Sequence, residues 1–194
     1  MTITTTDELA AVNIMLGVIG ESPINSLSSI SGVIDAVSAR SLLNEIAVTV
    51  QSEGWQFNTE NNWTFLPDST GTITIPQTIL QAKSTATQFD LALRGTRLYD
   101  RKNHTYDFSS YTDGIALDCT TLMEFNDMPQ AARYYVAVRA ARVFQNRNVG
   151  SETLKGFTKE DEAYARVALK KYDADAAGFN MLTGSYGVAR TLER

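Results

Sequence analysis

One cysteine and one histidine in 194 residues leave little material for the chemistry those side chains usually carry. Cys119 has no partner for an internal disulfide, and together with His104 it cannot make up a zinc cluster. A serine or cysteine triad would have to use His104, which lies in the polar turn Arg101-Lys102-Asn103-His104-Thr105. No Gly-x-Ser-x-Gly elbow surrounds a nucleophile, and Cys119 has no histidine near it in sequence. Also missing are a phosphate loop of the Gly-x4-Gly-Lys-Ser type, a Gly-x-Gly-x-x-Gly turn and an Asp-x-Asp-x-Asp-Gly calcium loop. Magnesium held by carboxylates alone is the one metal chemistry left open. The sequence points to no catalytic residue, no cofactor and no metal ligand. No apolar run approaches the roughly 18–20 residues that span a bilayer. Met1-Thr2-Ile3-Thr4-Thr5-Thr6 lacks the basic start and apolar block of a secretory leader, so the chain reads as soluble, without a membrane partner, and made in the cytosol.

What is present is enough for a core: 43% hydrophobic and 20% charged residues exclude wholesale disorder. The length suits one ordinary domain, or a small domain with a sizeable insertion. Cys119 sits in an apolar alternation and reads as a buried, inert thiol. The net charge of −5 is unevenly spread. Residues 1–90 hold nine acidic and two basic side chains, whereas residues 91–194 hold thirteen acidic and fifteen basic ones. An acidic chain is poorly suited to wrapping a nucleic-acid backbone. The asymmetry does suit head-to-tail association of copies, although solvated faces without a partner account for it equally well.

The stretch from Asp127-Met128-Pro129 to Asn146-Arg147 reads as one helix with Asp127 as N-cap and Pro129 in the first turn. Ala132, Val136, Ala140 and Val143 form an apolar stripe. Beside it lie Arg133, Arg139, Arg142 and Arg147, with no acidic residue within the helix. Such a helix can pack on its own domain and offer guanidinium groups to another surface.

Near the N-terminus, Thr5 and Glu8 fit a capping box, followed by Leu9, Val12, Leu16 and Ile19, with Gly20 and Pro23 as the stop. A second helix is expected over residues 33–53, with Ala39, Leu43, Ile46 and Val50 as its stripe and Gly54 at its end. These two helices are expected to pair antiparallel. The middle of the chain alternates instead. Residues 55–58 and 63–66 read as a hairpin across Thr59-Glu60-Asn61-Asn62, and Pro67–Gly71 as a turn before Thr72–Ile75. Further strands are expected at 89–93, 96–99, 105–108 and 115–125. Thr158 and Asp161 open a last helix that runs down near Gly178, and residues 179–194 read as an arm that orders against a partner. The expected fold is α+β: an antiparallel helical bundle from both chain ends, a β-rich insertion and an extended C-terminal arm. The expected segments are 1–54, 55–126, 127–178 and 179–194.

Other features have simple structural readings. The run Glu160-Asp161-Glu162 falls in a first helical turn, where negative charge complements the dipole. Asn62-Trp63-Thr64 and Asn103-His104-Thr105 match a glycosylation sequon but lack a secretory context. Tyr134, Tyr135 and Tyr172 could stack on bases, but core packing with the hydroxyl at the rim is the simpler reading.

Several segments resemble the tail tubular protein A family, the head-to-tail adaptor of short-tailed phages. They begin with Ala11-Val12-Asn13 through Ile19-Gly20-Glu21-Ser22-Pro23, then Gly54-Trp55-Gln56-Phe57-Asn58 and Leu66-Pro67-Asp68. Asp127-Met128-Pro129 with Arg133-Tyr134 comes next, then Arg142-Val143-Phe144-Gln145-Asn146-Arg147 and Gly150. Tyr172-Asp173-Ala174-Asp175 leading to Gly178-Phe179-Asn180-Met181-Leu182 closes the series. Ala177 and Phe179 depart from it, standing where a second glycine and a tyrosine would be usual.

The resemblance implies a structural virion protein in the tail. It implies a homo-oligomeric ring, twelvefold to match a portal protein, that joins the portal to the tail nozzle protein (tail tubular protein B) and helps anchor the tail fibre protein. DNA would pass through its channel without sequence-specific binding. On that reading Arg133, Arg139, Arg142, Arg147, Phe179, Asn180, Met181 and Leu182 are expected at subunit or portal contacts. Trp63, Phe65, Tyr99 and Tyr111 are expected to face the nozzle or fibre. Two other readings stay in view. One is a tail-borne cell-wall or capsule polysaccharide hydrolase using Glu124, Asp127 or Glu160; the other is a nucleic-acid-binding module using the arginine helix.

Overall fold

A computed structural model of the chain describes residues 5–28, 30–148 and 158–178. Among them are four α-helices and two small antiparallel sheets, an α+β fold. The chain divides into two units: residues 1–46 with 125–194, and residues 47–124. The expected arm at 179–194 lies outside the described residues, as does Gly150.

In the first unit, α1 (Glu8–Val18) is capped by Asp7, whose carboxylate accepts from the Ala10 N–H at 2.7 Å. The Thr5–Glu8 capping box is therefore not the one used. Glu8 instead pairs with Arg40 of α2 (Ile34–Gln51) at 2.7 Å. At the other end, Gly20 adopts φ +84° while the Gly20 and Glu21 N–H groups return to Gly17 and Leu16. Only glycine holds that left-handed position without cost, which is why the helix stops there. Asn13 then holds the following loop, accepting from Ile24 N–H at 2.8 Å and donating to Ile24 C=O at 3.0 Å.

The central element is α3 (Gln130–Asn148), against which α1 and α4 (Lys159–Ala176) both pack. The expected pairing of α1 with α2 thus gives way to packing of α1 on α3. Burial on α3 is broad. Ala132, Tyr135, Val136, Ala137, Val138, Ala140, Ala141 and Phe144 are all covered, while Val143 is half-exposed. Alanines at close spacing let neighbouring helices approach from more than one side, so the helix is not a one-striped surface helix. Asp127 does not cap it. It ends a 3-10 turn (Phe125–Asp127), and the Arg133 N–H bonds to the Pro129 carbonyl at 3.0 Å. The residue before a proline avoids helical angles, so α3 cannot begin until Pro129 is passed. Reciprocal bonds between Thr6 and Gln130, at 2.9 and 2.8 Å, tie the approach to α1 to the first turn of α3.

The second unit contains β1 (Thr59–Phe65), β2 (Ile79–Ser84), β3 (Leu91–Arg94), β4 (Arg97–Asp100) and β5 (Ile115–Thr121). Their orders are β1-β5-β2 in one sheet and β3-β4 in the other, with β3 packed beside β2. The expected hairpin over 55–66 does not form. Gln56–Asn58 is a 3-10 turn, and β1 is a single strand paired antiparallel with β5. The Asn61-Asn62 pair that reads as a turn makes an irregularity in that ladder instead. Asn62 sits at φ +56° with its N–H on Asp118 Oδ1 at 3.0 Å. Strand β2 was not expected from its sequence, and residues 105–108 contribute an isolated bridge from Thr105 to Asp100 rather than a strand. Phe65, Ile73, Ile75, Ile79, Leu98, Phe108, Ile115, Leu117 and Cys119 form the core of this unit. Cys119 is buried, and burial, reinforced by Asp118 and Glu60, pushes its thiol above the usual range. It is the inert thiol its surroundings predict.

A buried polar clamp joins the last turn of α2 to the end of β5. Asn58 donates to Gln51 C=O at 3.0 Å and to Thr121 C=O at 2.9 Å, and accepts from the Trp55 N–H at 2.9 Å. Gln51 exchanges two hydrogen bonds with the Met123 backbone, at 3.1 and 2.7 Å. Each amide is satisfied at both ends, so the clamp fixes the geometry without leaving an orphaned polar group.

Candidate assembly interface

Three of the four arginines of α3 find carboxylates on other helices of the same unit. Arg142 Nε bonds to Glu162 of α4, whose second oxygen lies 3.7 Å from Arg139 Nε. Arg139 Nη1 also donates to the Tyr135 hydroxyl at 3.3 Å. All three charged side chains are half-buried, so the pairing is partly screened from water and braces α4 on α3. Arg147 makes a looser and more exposed pair with Glu45 of α2 at 3.6 Å. Arg133 is half-buried, and its Nε has no hydrogen-bond partner among the described residues. Phe179, Asn180, Met181 and Leu182 lie outside the described residues.

Helix α4 opens on a capping box. Thr158 Oγ1 accepts from the Asp161 N–H at 3.1 Å, and Asp161 Oδ2 accepts from the Thr158 N–H at 2.8 Å. Those bonds from Thr158 hold the Asp161 carboxyl below its usual range. Beyond the cap, the helix buries only Ala165 and Leu169 among its apolar side chains. Its outward side carries Tyr164 at 76% exposure and Val167 at 64%, while Tyr172, 42% exposed, lies beside the buried Ala165–Leu169 stripe. Large apolar side chains grouped on a solvent-facing helix are a feature of contact surfaces.

In the second unit, the four aromatic residues expected on a partner surface differ in their exposure. Trp63 is 42% exposed, Phe65 and Tyr99 are buried, and Tyr111 is half-buried against Phe89. The Trp63 and Phe65 rings lie 5.1 Å apart, and a shallow hollow at the β1 edge is lined by Glu60, Asn61, Trp63 and Thr121. On the β3-β4 hairpin, the Arg94 guanidinium lies 3.6 Å over the Tyr99 ring and that of Arg97 4.6 Å over Tyr106. Tyr99 and Tyr106 are themselves 4.8 Å apart, making a four-membered cluster in which the two rings adjoin and a guanidinium covers each. This stack was not foreseen. The clustered basic residues at 94–102 were the available signal, but the strand pairing was needed to bring Tyr99 and Tyr106 beneath them.

The carboxylates considered for hydrolysis, Glu124, Asp127 and Glu160, are exposed, and no hydrogen bond or ion pair joins them among the described residues. His104 is an exposed turn residue at φ +56°. No group of histidine, cysteine, aspartate or glutamate among the described residues could hold a metal ion, and no described helix is long and apolar enough to cross a membrane.

Residues 9–179 match the family model Tube, described as tail tubular protein. No curated protein matches the chain.

Proposed function

The chain belongs to the tail tubular protein family and is a structural component of a phage tail, and from that premise we propose that it is the head-to-tail adaptor. In this reading twelve copies close into a ring between the portal protein and the tail nozzle protein, with tail fibres seated at the side. DNA passes through the channel without sequence-specific binding. A ring of this kind needs two different faces on each copy that meet repeatedly until the rotation closes.

The observation that carries the proposal is the outward side of α4. Tyr164 and Val167 are exposed on a helix that Glu162 fixes in place through Arg139 and Arg142. We assign this surface to the portal, together with the segment that follows it, Phe179, Asn180, Met181 and Leu182 included. Arg139 and Arg142 serve the contact by holding α4, whereas Arg133 and Arg147 reach towards the neighbouring molecule. The β unit supplies the remaining contacts, to the nozzle and fibre proteins and to the next copy.

The double variant Tyr164→Glu/Val167→Glu tests the reading, because both side chains are exposed and their replacement leaves the fold intact. Sedimentation with portal-bearing, DNA-filled heads should show the wild-type chain bound and the variant free, with equal melting temperatures. Undiminished binding of the variant would remove α4 from the portal contact.

A further inference from the structure

Residues 47–124 carry nine acidic and five basic side chains, and four of those five, Arg94, Arg97, Arg101 and Lys102, lie within nine residues. The β3-β4 hairpin is thus the basic pole of an otherwise acidic unit. Arg101 is taken up by Asp90. Arg94 and Arg97 are exposed, and no carboxylate is in ion-pair range of either among the described residues. Each has one face of its guanidinium laid on a tyrosine ring, at 3.6 Å for Arg94 and 4.6 Å for Arg97. Stacking of this kind fixes the planar group while leaving its N–H edge free to donate, so less conformational freedom is lost when an acceptor arrives.

The opposite flank of the same unit offers a matching acceptor. The sheet order β1-β5-β2, with β3 beside β2, puts the β1 edge on one side and the basic hairpin on the other. At the β1 edge, Glu60 is exposed, and its carboxylate has no hydrogen bond or ion pair among the described residues. It shares its hollow with Trp63, so an incoming guanidinium would meet a carboxylate and an indole face together. Both surfaces belong to one unit, lie on strands separated by β5 and β2, and are complementary in charge and in ring chemistry. A self-complementary twofold contact would need them on one patch, whereas this arrangement generates a repeating head-to-tail contact.

We propose that Arg94 and Arg97 of one copy dock on the Glu60–Trp63 hollow of the next, making the lateral contact between β units around the ring. The inference rests on the ring proposed above. It commits to a second copy of the chain rather than to nucleic acid, because the complementary acidic and aromatic surface is present on the chain itself.

Charge reversal tests it in the full-length protein. Glu60→Arg and Arg94→Glu/Arg97→Glu should each lower self-association about tenfold or more, the effect of breaking a close interfacial charge pair. The chain carrying all three changes should recover most of it. Association is read by sedimentation velocity, alone and with portal-bearing heads. The exposed Glu60 carboxylate makes no hydrogen bond or ion pair among the described residues, so Glu60→Arg decides the matter even if the arginine variant is poorly folded. Wild-type association that Glu60→Arg leaves unchanged overturns this contact while sparing the ring. A wild-type chain that stays monomeric in both settings overturns the ring, and this contact with it. Binding to duplex DNA that is lost with Arg94→Glu/Arg97→Glu, while Glu60→Arg associates normally, would reassign the arginines to nucleic acid.

Discussion

Asp100 is a buried carboxylate held entirely by the turn that follows it. It accepts from the Lys102 and Asn103 N–H groups at 2.8 and 3.1 Å, and from the Asn103 side chain at 2.7 Å. Burial alone would raise its proton affinity, but those bonds and the charge of Lys102 outweigh it and hold the carboxyl below its ordinary range. A carboxyl depressed in the folded state contributes stability that is complete above the unfolded value, about 3.9. That stability is lost as pH falls through the lower folded value. Asp68 follows the same sign, lowered by its bonds from the side chain of Thr70 and the backbones of Thr72 and Thr70. Asp107 does so through Ser109. Asp100→Ala leaves three donors short of their acceptor and should cost about 1–3 kcal/mol at pH 7. Urea denaturation at pH 7 and at about pH 2.5 checks this. The gap between wild type and variant should narrow in acid, and a gap independent of pH would show that the carboxylate's charge is irrelevant to the turn.

At the scale of elements, one carboxylate serves two arginines of a neighbouring helix. Glu162 receives Arg142 on one oxygen and Arg139 on the other, in a half-buried setting between α3 and α4. Glu162→Gln keeps the shape but removes the charge that both guanidinium groups face. It should destabilise the protein by about 1.5–3 kcal/mol, the range for hydrogen bonds to charged groups. Melting curves of Glu162→Gln and of exposed Glu160→Gln make the comparison, since only the first should shift downward. The sequence shows four arginines on one helix and none of their partners, because ion pairs across helices depend on packing that no local pattern encodes. The same limit explains the strands. Elements declared by local chemistry were legible: the α1 stop at Gly20, the Thr158–Asp161 capping box and the turn built on Asp68. Elements declared by a distant partner were not. Strand β1 pairs with β5 fifty or more residues away, so the Asn61-Asn62 pair reads as a turn although it forms a bulge. Strand β2, with Gln81, Ala82 and Lys83 in its interior, has little β propensity of its own and is a strand by virtue of β5. The arginine helix was legible as a helix, but not that Arg139 and Arg142 would be taken up by Glu162 of the same unit. The Arg94–Tyr99–Tyr106–Arg97 stack became visible only with the hairpin in register.

For the whole molecule, the two units present surfaces of different physical kind. The helical unit offers exposed aromatic and aliphatic side chains on α4; the β unit offers stacked arginines on one flank and Glu60 with Trp63 on the other. Apolar contacts are nearly indifferent to simple salt, while contacts between exposed charges weaken as the screening length falls from about 10 Å at 0.1 M to about 3 Å at 1 M. A net charge of −5 adds a mutual repulsion between copies that salt relieves, so generic charge effects would favour assembly at higher ionic strength. The opposite response therefore identifies a specific pairing. Raising sodium chloride from about 0.1 to 1 M should reduce self-association of the wild-type chain several-fold, because the lateral contact depends on exposed ion pairs. Attachment to portal-bearing heads through α4 should change little over the same range. Glu60→Arg should lose the negative salt response and show the weak positive one that net charge alone predicts. Self-association that strengthens with salt in the wild-type chain would mean that apolar surface, rather than the arginine–glutamate pairing, closes the ring.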